Sequence, residues 1–171
     1  MIIIGEKING SIPSMGKAIA ERNEEWIKDI AKKQADAGAD FIDCCASVDV
    51  DEVETLGWMI GLIQSVTDTP ISVDSPSAKA CVEAMQYCNQ PGLINSVSGE
   101  GNKIDIVFPA IADTQWQVMA LLCDDTGIPH ILLDIGDDAV ITGKYLDAVK
   151  EGVAKGLRTL PGRPMGIMGD D

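Results

Sequence analysis

The sequence predicts an α/β protein of the (β/α)8-barrel type, and two features carry the prediction. Short apolar runs alternate with segments of helical spacing over short connections, as in a parallel sheet covered by helices. Three of the apolar runs deliver a polar residue to the strand's end, at Asp43, Asp74 and Asn95. This is typical of buried parallel strands that end at a barrel's rim, where barrel enzymes hold their active sites.

The length of the chain qualifies this fold prediction. The chain has 171 residues, whereas a complete barrel of eight units usually needs roughly 250 and at least about 200. No composition shift or linker divides the sequence. We therefore expect a single domain over residues 1–171, with a barrel that is shortened or incomplete.

The first units begin at the N-terminus. Residues 2–4 are all isoleucine and are predicted to form a strand buried on both faces. A helix is predicted over 23–37, because Asn23 can cap its first turn and Gly38 suits the position after its last residue. The second strand follows at 40–44.

The next units repeat this order. Residues 51–66 carry apolar side chains at helical spacing, and Pro70 separates this helix from the third strand at 71–74. A short helix is predicted over 77–88, because Pro76 lies near its first turn, where proline is tolerated.

Two further strands enclose another helix. The fourth strand is predicted at 93–96, the helix at 103–113 and the fifth strand at 118–123. All the connections are long enough for right-handed crossovers between parallel strands.

The pattern changes after residue 124. The strand-like run 130–134 follows too soon for a helical crossover. Residues 142–157 have the pattern of an amphipathic helix, and 163–168 that of a last strand. We therefore expect an irregular arrangement over 130–171.

The charge balance narrows the function classes. The chain has 27 acidic and 13 basic residues, for a net charge of −14, so phosphate backbones and anionic membranes would repel it. No apolar run of about 18 residues and no signal peptide occurs. We expect a cytoplasmic protein with no nucleic-acid or membrane partner.

The cysteines do not indicate a metal site. Five cysteines occur without a CxxC pair, and His130 is the single histidine. Zinc sites are usually built from such pairs and from histidines. We expect reduced thiols and no metal.

The rim residues are the candidate binding residues. Carboxylate and amide groups together suit a ligand with both N–H donors and acceptors, such as a heterocycle. The alternatives left open are that Asp74 caps the following helix, that Asn95 stabilises a turn and that Asp43 makes structural hydrogen bonds. The predicted set is Asp43, Asp74, Asn95, Ser96 and Asp134, the last at the end of the run 130–134.

Several segments, in this order, resemble the methyltetrahydrofolate–corrinoid methyltransferases. These are pterin-binding (β/α)8 barrels related to dihydropteroate synthases and to the folate domain of cobalamin-dependent methionine synthase. The resemblance is clearest over residues 1–129. The segments that carry it are Ile3–Gly10, Gln34–Asp43, Ile71–Ser75, Leu93–Ser96 and Asp125–Pro129.

The resemblance implies roles for individual residues. Asp74 and Asn95 match the family's aspartate and asparagine that hydrogen-bond the pterin ring, and Asp134 matches a further pterin-binding aspartate. Where the family often has asparagine, this chain has Cys45. No residue is identified as catalytic.

The resemblance also implies a reaction and partners. A methyl group would pass between N5 of methyltetrahydrofolate and the cobalt of a corrinoid carried by a separate protein. Two alternatives remain open. One is a dihydropteroate synthase-like enzyme, for which a basic pocket is missing. The other is a truncated or non-catalytic pterin-binding barrel. Exposed parallel strand edges would favour a homodimer.

Overall fold

The computed structural model describes residues 2–46 and 51–124, which form one parallel sheet with helices between its strands. Five strands pair in the order β1-β2-β3-β4-β5 in this described part. Each strand neighbours the next along the chain and the order never reverses, as in a barrel and unlike a doubly wound sheet. The predicted fold class is confirmed as a partial (β/α)8 barrel. The strands are β1 (Ile4–Gly5), β2 (Phe41–Cys45), β3 (Ile71–Asp74), β4 (Leu93–Gly99) and β5 (Gln117–Asp124).

The helices follow the predicted order, with one addition. The described helices are α1 (Pro13–Ala20), α2 (Glu24–Asp36), α3 (Glu52–Gln64), α4 (Ala78–Ala84), which continues as a 3-10 turn over Met85–Tyr87, and α5 (Lys103–Ile111). The added helix, α1, has proline at its start but no side-chain cap at Ile12, so its N-terminal signal is weak.

Side-chain caps fix the starts of three helices. Asn23 accepts a hydrogen bond from the Trp26 amide at the start of α2, as predicted. Asp51 caps α3 and Ser77 caps α4 in the same way. Each cap satisfies one of the amides that a helix start leaves without a partner, so these helices begin where the sequence indicates.

The prediction for the first strand was wrong in extent and burial. The strand is Ile4–Gly5, and Ile2 and Ile3 are 39% and 45% exposed. Within the described residues, β1 pairs on one side only, with β2. The Ile3 amide donates to the Asp40 carboxylate, a side-chain contact outside the strand ladder. Ile2 and Ile3 therefore precede the strand and stay partly exposed.

The two faces of the sheet differ in character. Alternate residues of the central strands, among them Ile42, Val73 and Ile94, are fully buried in one cluster with the apolar faces of the helices. The residues between them, including Asp43, Ser72 and Asn95, are polar. Because successive strand residues point to opposite faces, the helices cover one side and the polar residues line the other. That polar side is the inside of the partial barrel.

Some predictions concern residues outside the described part. The run ending at Asp134, the helix over 142–157 and the strand over 163–168 lie there, and so does the expectation that 130–171 is irregular. No helix in the described ranges is long and apolar enough to cross a membrane.

Candidate functional site

The register of three adjacent strands brings the predicted site residues together. Asp74 on β3 is aligned with Cys45 on β2 and with Asn95 on β4. Two residues earlier on each strand, Asp43 is aligned with Ser72. Near the level where β3 ends, these three strands therefore place two carboxylates and an amide on the same face of the sheet.

A cavity of about 240 Å³ opens at these strand ends. Asp43, Asp74, Asn95 and Ser96 all border it, so four of the predicted residues meet at one site. Asp134 lies outside the described residues, and its role stays a prediction. The remaining lining residues are Glu6, Asn9, Met119, Ala120 and Leu121.

Asp43 is the most deeply buried acid of the site, with 2% of its surface exposed. Its Oδ1 accepts one hydrogen bond from Ser72 Oγ at 2.5 Å and another from Asn95 Nδ2 at 3.1 Å. Burial raises its pKa to about 7; the Asp74 and Glu6 charges add to this rise, and the two hydrogen bonds oppose it. The structural hydrogen bonds expected as an alternative for Asp43 are thus present, at a carboxyl group that also borders the cavity.

Asp74 is half-buried at the end of β3. Burial raises its pKa, the charges of Glu6 and Glu52 raise it further, and a hydrogen bond from the Cys45 thiol lowers it. The alternative that Asp74 caps the next helix was wrong, because the Ser77 side chain accepts from the Ala80 amide at 3.2 Å and fills the capping position of α4. Asp74 is left facing the cavity.

Asn95 and Ser96 are consecutive residues that both border the cavity. A shift of the β4–β5 register between Ile94 and Val97 explains this, because a bulge breaks the strict alternation of faces. The alternative of a turn role for Asn95 was wrong, since the residue lies inside β4 and its amide bonds to Asp43.

The loop after β1 closes one side of the cavity. Asn9 Oδ1 accepts from the Ser11 amide at 2.8 Å, and the Gly10 amide donates to the Cys45 carbonyl at 2.9 Å. These bonds fix the loop against the end of β2. Glu6, in the same loop, also lines the cavity.

Ser72 is the functional candidate that the sequence reasoning missed. It is fully buried and bonds Asp43 directly. Its signal was present, because it stands two residues before Asp74 on the same strand and so shares its face.

The lining chemistry suits a flat ligand rich in N–H groups. Glu6, Asp43 and Asp74 supply acceptors, and Met119 and Leu121 supply apolar surface. No lysine, arginine or histidine is among the described residues that line the cavity. The described residues also contain no group of His, Cys, Asp and Glu arranged to hold a metal ion.

A larger cavity of about 320 Å³ lies between the starts of α4 and α5. Its lining includes Lys79, Glu100 and Lys103 and none of the predicted site residues. Lys103 is already paired with Glu100 at 3.3 Å. The smaller cavity is therefore the better candidate site, because polar residues of β2, β3 and β4 line it together.

Comparisons with known proteins agree with this geometry. Residues 11–151 match a family of proteins described as pterin binding enzymes. A methylcorrinoid:tetrahydrofolate methyltransferase of Eubacterium limosum is 47% identical over 133 residues, covering 76% of this chain and 49% of that protein. The chain thus spans about half the length of this curated relative.

Proposed function

Because the chain belongs to the pterin-binding enzymes, we propose that it is a methyltransferase that binds tetrahydrofolate in the cavity lined by Asp43, Asp74 and Asn95. The methyl group passes between N5 of the folate and the cobalt of a corrinoid. The observation that carries the proposal is the meeting of Asp43, Asp74 and Asn95 around one cavity. The name of the similar methyltransferase supports methylcorrinoid as donor and tetrahydrofolate as acceptor.

The lining fits a reduced pterin ring. Such a ring presents a 2-amino group and several ring N–H groups, and the carboxylate of Asp74 can accept two of these hydrogens side by side. Each charge-assisted bond contributes about 1.5–3 kcal/mol. Met119 and Leu121 offer apolar contact to the ring.

The reaction has a simple balance of electrons and protons. In the direction towards folate, the N5 lone pair forms the bond to the methyl carbon. The electron pair of the carbon–cobalt bond stays with cobalt. N5, which now carries a positive charge together with its hydrogen and the methyl group, releases the hydrogen as a proton. In the reverse direction N5 must gain that proton before the amine can leave the methyl carbon.

Asp43 is the described group at the cavity best suited to exchange this proton. Its pKa of about 7 lets it gain or lose a proton at neutral pH. Oδ1 is occupied by Ser72 and Asn95. Oδ2 has no hydrogen bond within the described ranges, so it is the oxygen that can face a ligand.

The expected partners complete the proposal. The corrinoid is presented by a separate protein, since the family resemblance implies this and the relative's name includes a methylcorrinoid. A homodimer and a cytoplasmic location are predictions from the sequence that belong to the same account.

The direct test is an anaerobic methyl-transfer assay with free methylcob(III)alamin and tetrahydrofolate, in which the visible absorbance of the cobalamin monitors the reaction. The wild-type chain should catalyse the demethylation of methylcob(III)alamin by tetrahydrofolate. Asp74→Ala removes the paired acceptor and should weaken tetrahydrofolate binding at least about tenfold, in line with the loss of one or two charge-assisted bonds.

Asp36→Ala is the matched control, because Asp36 is an exposed acid that bonds Lys32 on the surface of α2. The Asp36→Ala variant should bind tetrahydrofolate and transfer the methyl group as well as the wild type does. Absence of tetrahydrofolate binding at millimolar concentration would refute the proposal. Tight binding without any methyl transfer would instead favour the non-catalytic pterin-binding barrel.

A further inference from the structure

Three buried side chains form a hydrogen-bonded chain beneath the cavity. Ser72 Oγ donates to Asp43 Oδ1 at 2.5 Å, and Asn95 Nδ2 donates to the same oxygen at 3.1 Å. Ser72 is fully buried, Asp43 is 2% exposed and Asn95 is 8% exposed. The three residues lie on the adjacent strands β3, β2 and β4, so the backbone ladder holds them at fixed spacing.

This arrangement fixes which way the Asn95 amide faces. The Ser72 hydroxyl donates to Asp43 Oδ1 and so holds this oxygen in place as an acceptor. The Asn95 side-chain nitrogen, the donor end of the amide, therefore faces Asp43. The side-chain oxygen of Asn95, Oδ1, then makes no hydrogen bond with any residue in the described ranges. Because Asn95 lines the cavity, its oxygen is available there as an acceptor.

An acceptor held in this way discriminates between ligands. It binds a nitrogen that carries hydrogen and repels a nitrogen that presents a lone pair, because two acceptors cannot share a hydrogen bond. A tetrahydropterin carries hydrogen on N5 and N8, whereas the fully oxidised pterin of folic acid has lone pairs at both atoms. The orientation of one amide is therefore enough to favour the reduced ring.

We infer that Ser72 is a positioning residue that, through Asp43, turns the side-chain oxygen of Asn95 into the cavity and so selects reduced over oxidised pterins. This inference rests on the proposed function, because it concerns how the same cavity chooses among pterins. Ser72 does not itself border the cavity and acts through Asp43.

The test compares dissociation constants for tetrahydrofolate and folic acid, measured by anaerobic calorimetric titration of the whole chain. The wild type should prefer tetrahydrofolate at least about tenfold, the value of one discriminating hydrogen bond. Ser72→Ala leaves Asp43 free to rotate and to release Asn95. Its preference should fall at least about fivefold, mainly through weaker tetrahydrofolate binding.

Ser98→Ala is the matched control. Ser98 is also fully buried, lies on β4 and donates to Glu100 at 2.7 Å, but it does not border the cavity. This variant should keep the wild-type preference even if it melts at a lower temperature. A merely structural role of Ser72 would likewise lower the melting temperature and leave the ratio of the two constants unchanged.

A second variant keeps the inference testable if Ser72→Ala does not fold. Asp43→Ala removes the oxygen that accepts from both Ser72 and Asn95, so this variant should lose the preference for tetrahydrofolate. Equal binding of the two pterins by the wild type, or an unchanged ratio in both Ser72→Ala and Asp43→Ala, would overturn the inference and leave the proposed function standing. Failure of the wild type to bind either pterin would overturn both.

Discussion

At Asp43 a single buried carboxyl group combines structural and chemical roles. One oxygen accepts hydrogen bonds from two neighbouring strands, and the group has a pKa of about 7. An acid that is protonated in the folded state near neutral pH, but ionised in the unfolded state, links the stability of the protein to pH.

The sign of this linkage follows from the raised pKa. Below the ordinary pKa of 3.8, Asp43 is protonated in both states and its contribution to stability is fully present. Between about 4 and 7 only the folded state holds the proton, so stability falls as the pH rises. Above about 7 both states are ionised and this dependence ends.

We therefore predict that urea denaturation will show a less stable wild-type protein at pH 8 than at pH 5. Asp43→Asn cannot ionise and should reduce this difference by about 2 kcal/mol. Asp74 also has a raised pKa, through burial and the Glu6 and Glu52 charges, so some dependence should remain in the variant. Identical pH profiles for the two proteins would show that Asp43 is not protonated in the folded state at pH 5.

Part of the candidate site was predictable from the sequence. Asp74 and Asn95 were predictable because each ends or follows an apolar run and lies within a recognisable motif. The hydrogen bonds of Asp43 were not predictable, because they depend on which residues of β2, β3 and β4 lie side by side. Strand register is set by the packing of the whole sheet and cannot be read from one segment.

At the scale of elements, the close packing of β3 against the start of β4 depends on a glycine. A Cβ atom at Gly92 would overlap the carbonyl oxygen of Ile71, which is backbone and cannot move aside like a flexible side chain. The Gly92 carbonyl also accepts from the Gln117 amide at 2.9 Å, which connects this turn to β5. This position thus helps to align the strands that carry Asp74 and Asn95.

We predict that Gly92→Ala will lower the free energy of unfolding by about 1–3 kcal/mol, since a forced overlap in a packed region has this cost. Chemical denaturation with a circular dichroism readout would measure it. Gly61→Ala is the control: Gly61 lies within α3 with open space around its Cβ position, and alanine there should stabilise by up to about 1 kcal/mol. Equal effects of the two substitutions would argue against the close approach at Gly92.

Two elements were missed or misjudged from the sequence, each for its own physical reason. The helix α1 follows Ile12, which cannot cap it, so the composition around its start resembles a loop. The isoleucines before β1 look like a buried strand, yet burial depends on what packs over them, and Ile2 and Ile3 remain exposed. Helix α2 was predictable because Asn23 provides a local cap, and α3 because its apolar side chains recur at helical spacing.

At the scale of the whole molecule, the sheet order and the family agree. Consecutive parallel pairing gives a partial barrel whose polar strand ends converge, and the matching family consists of pterin-binding enzymes. The short length raised the expectation of an incomplete barrel, and the chain spans 49% of the similar methyltransferase. The barrel class was predictable from the alternation of elements, whereas the shape of the cavity required the register and the bulge in β4.

A crystal structure of the full chain grown anaerobically with tetrahydrofolate would show whether the cavity binds the pterin ring. We expect the ring within hydrogen-bonding distance of the Asp74 carboxylate and of the side-chain oxygen of Asn95, with the Asn95 side-chain nitrogen still bonded to Asp43. A ring bound elsewhere, or a cavity beside Asp43, Asp74 and Asn95 that stays empty at saturating ligand, would rule out the proposed binding site.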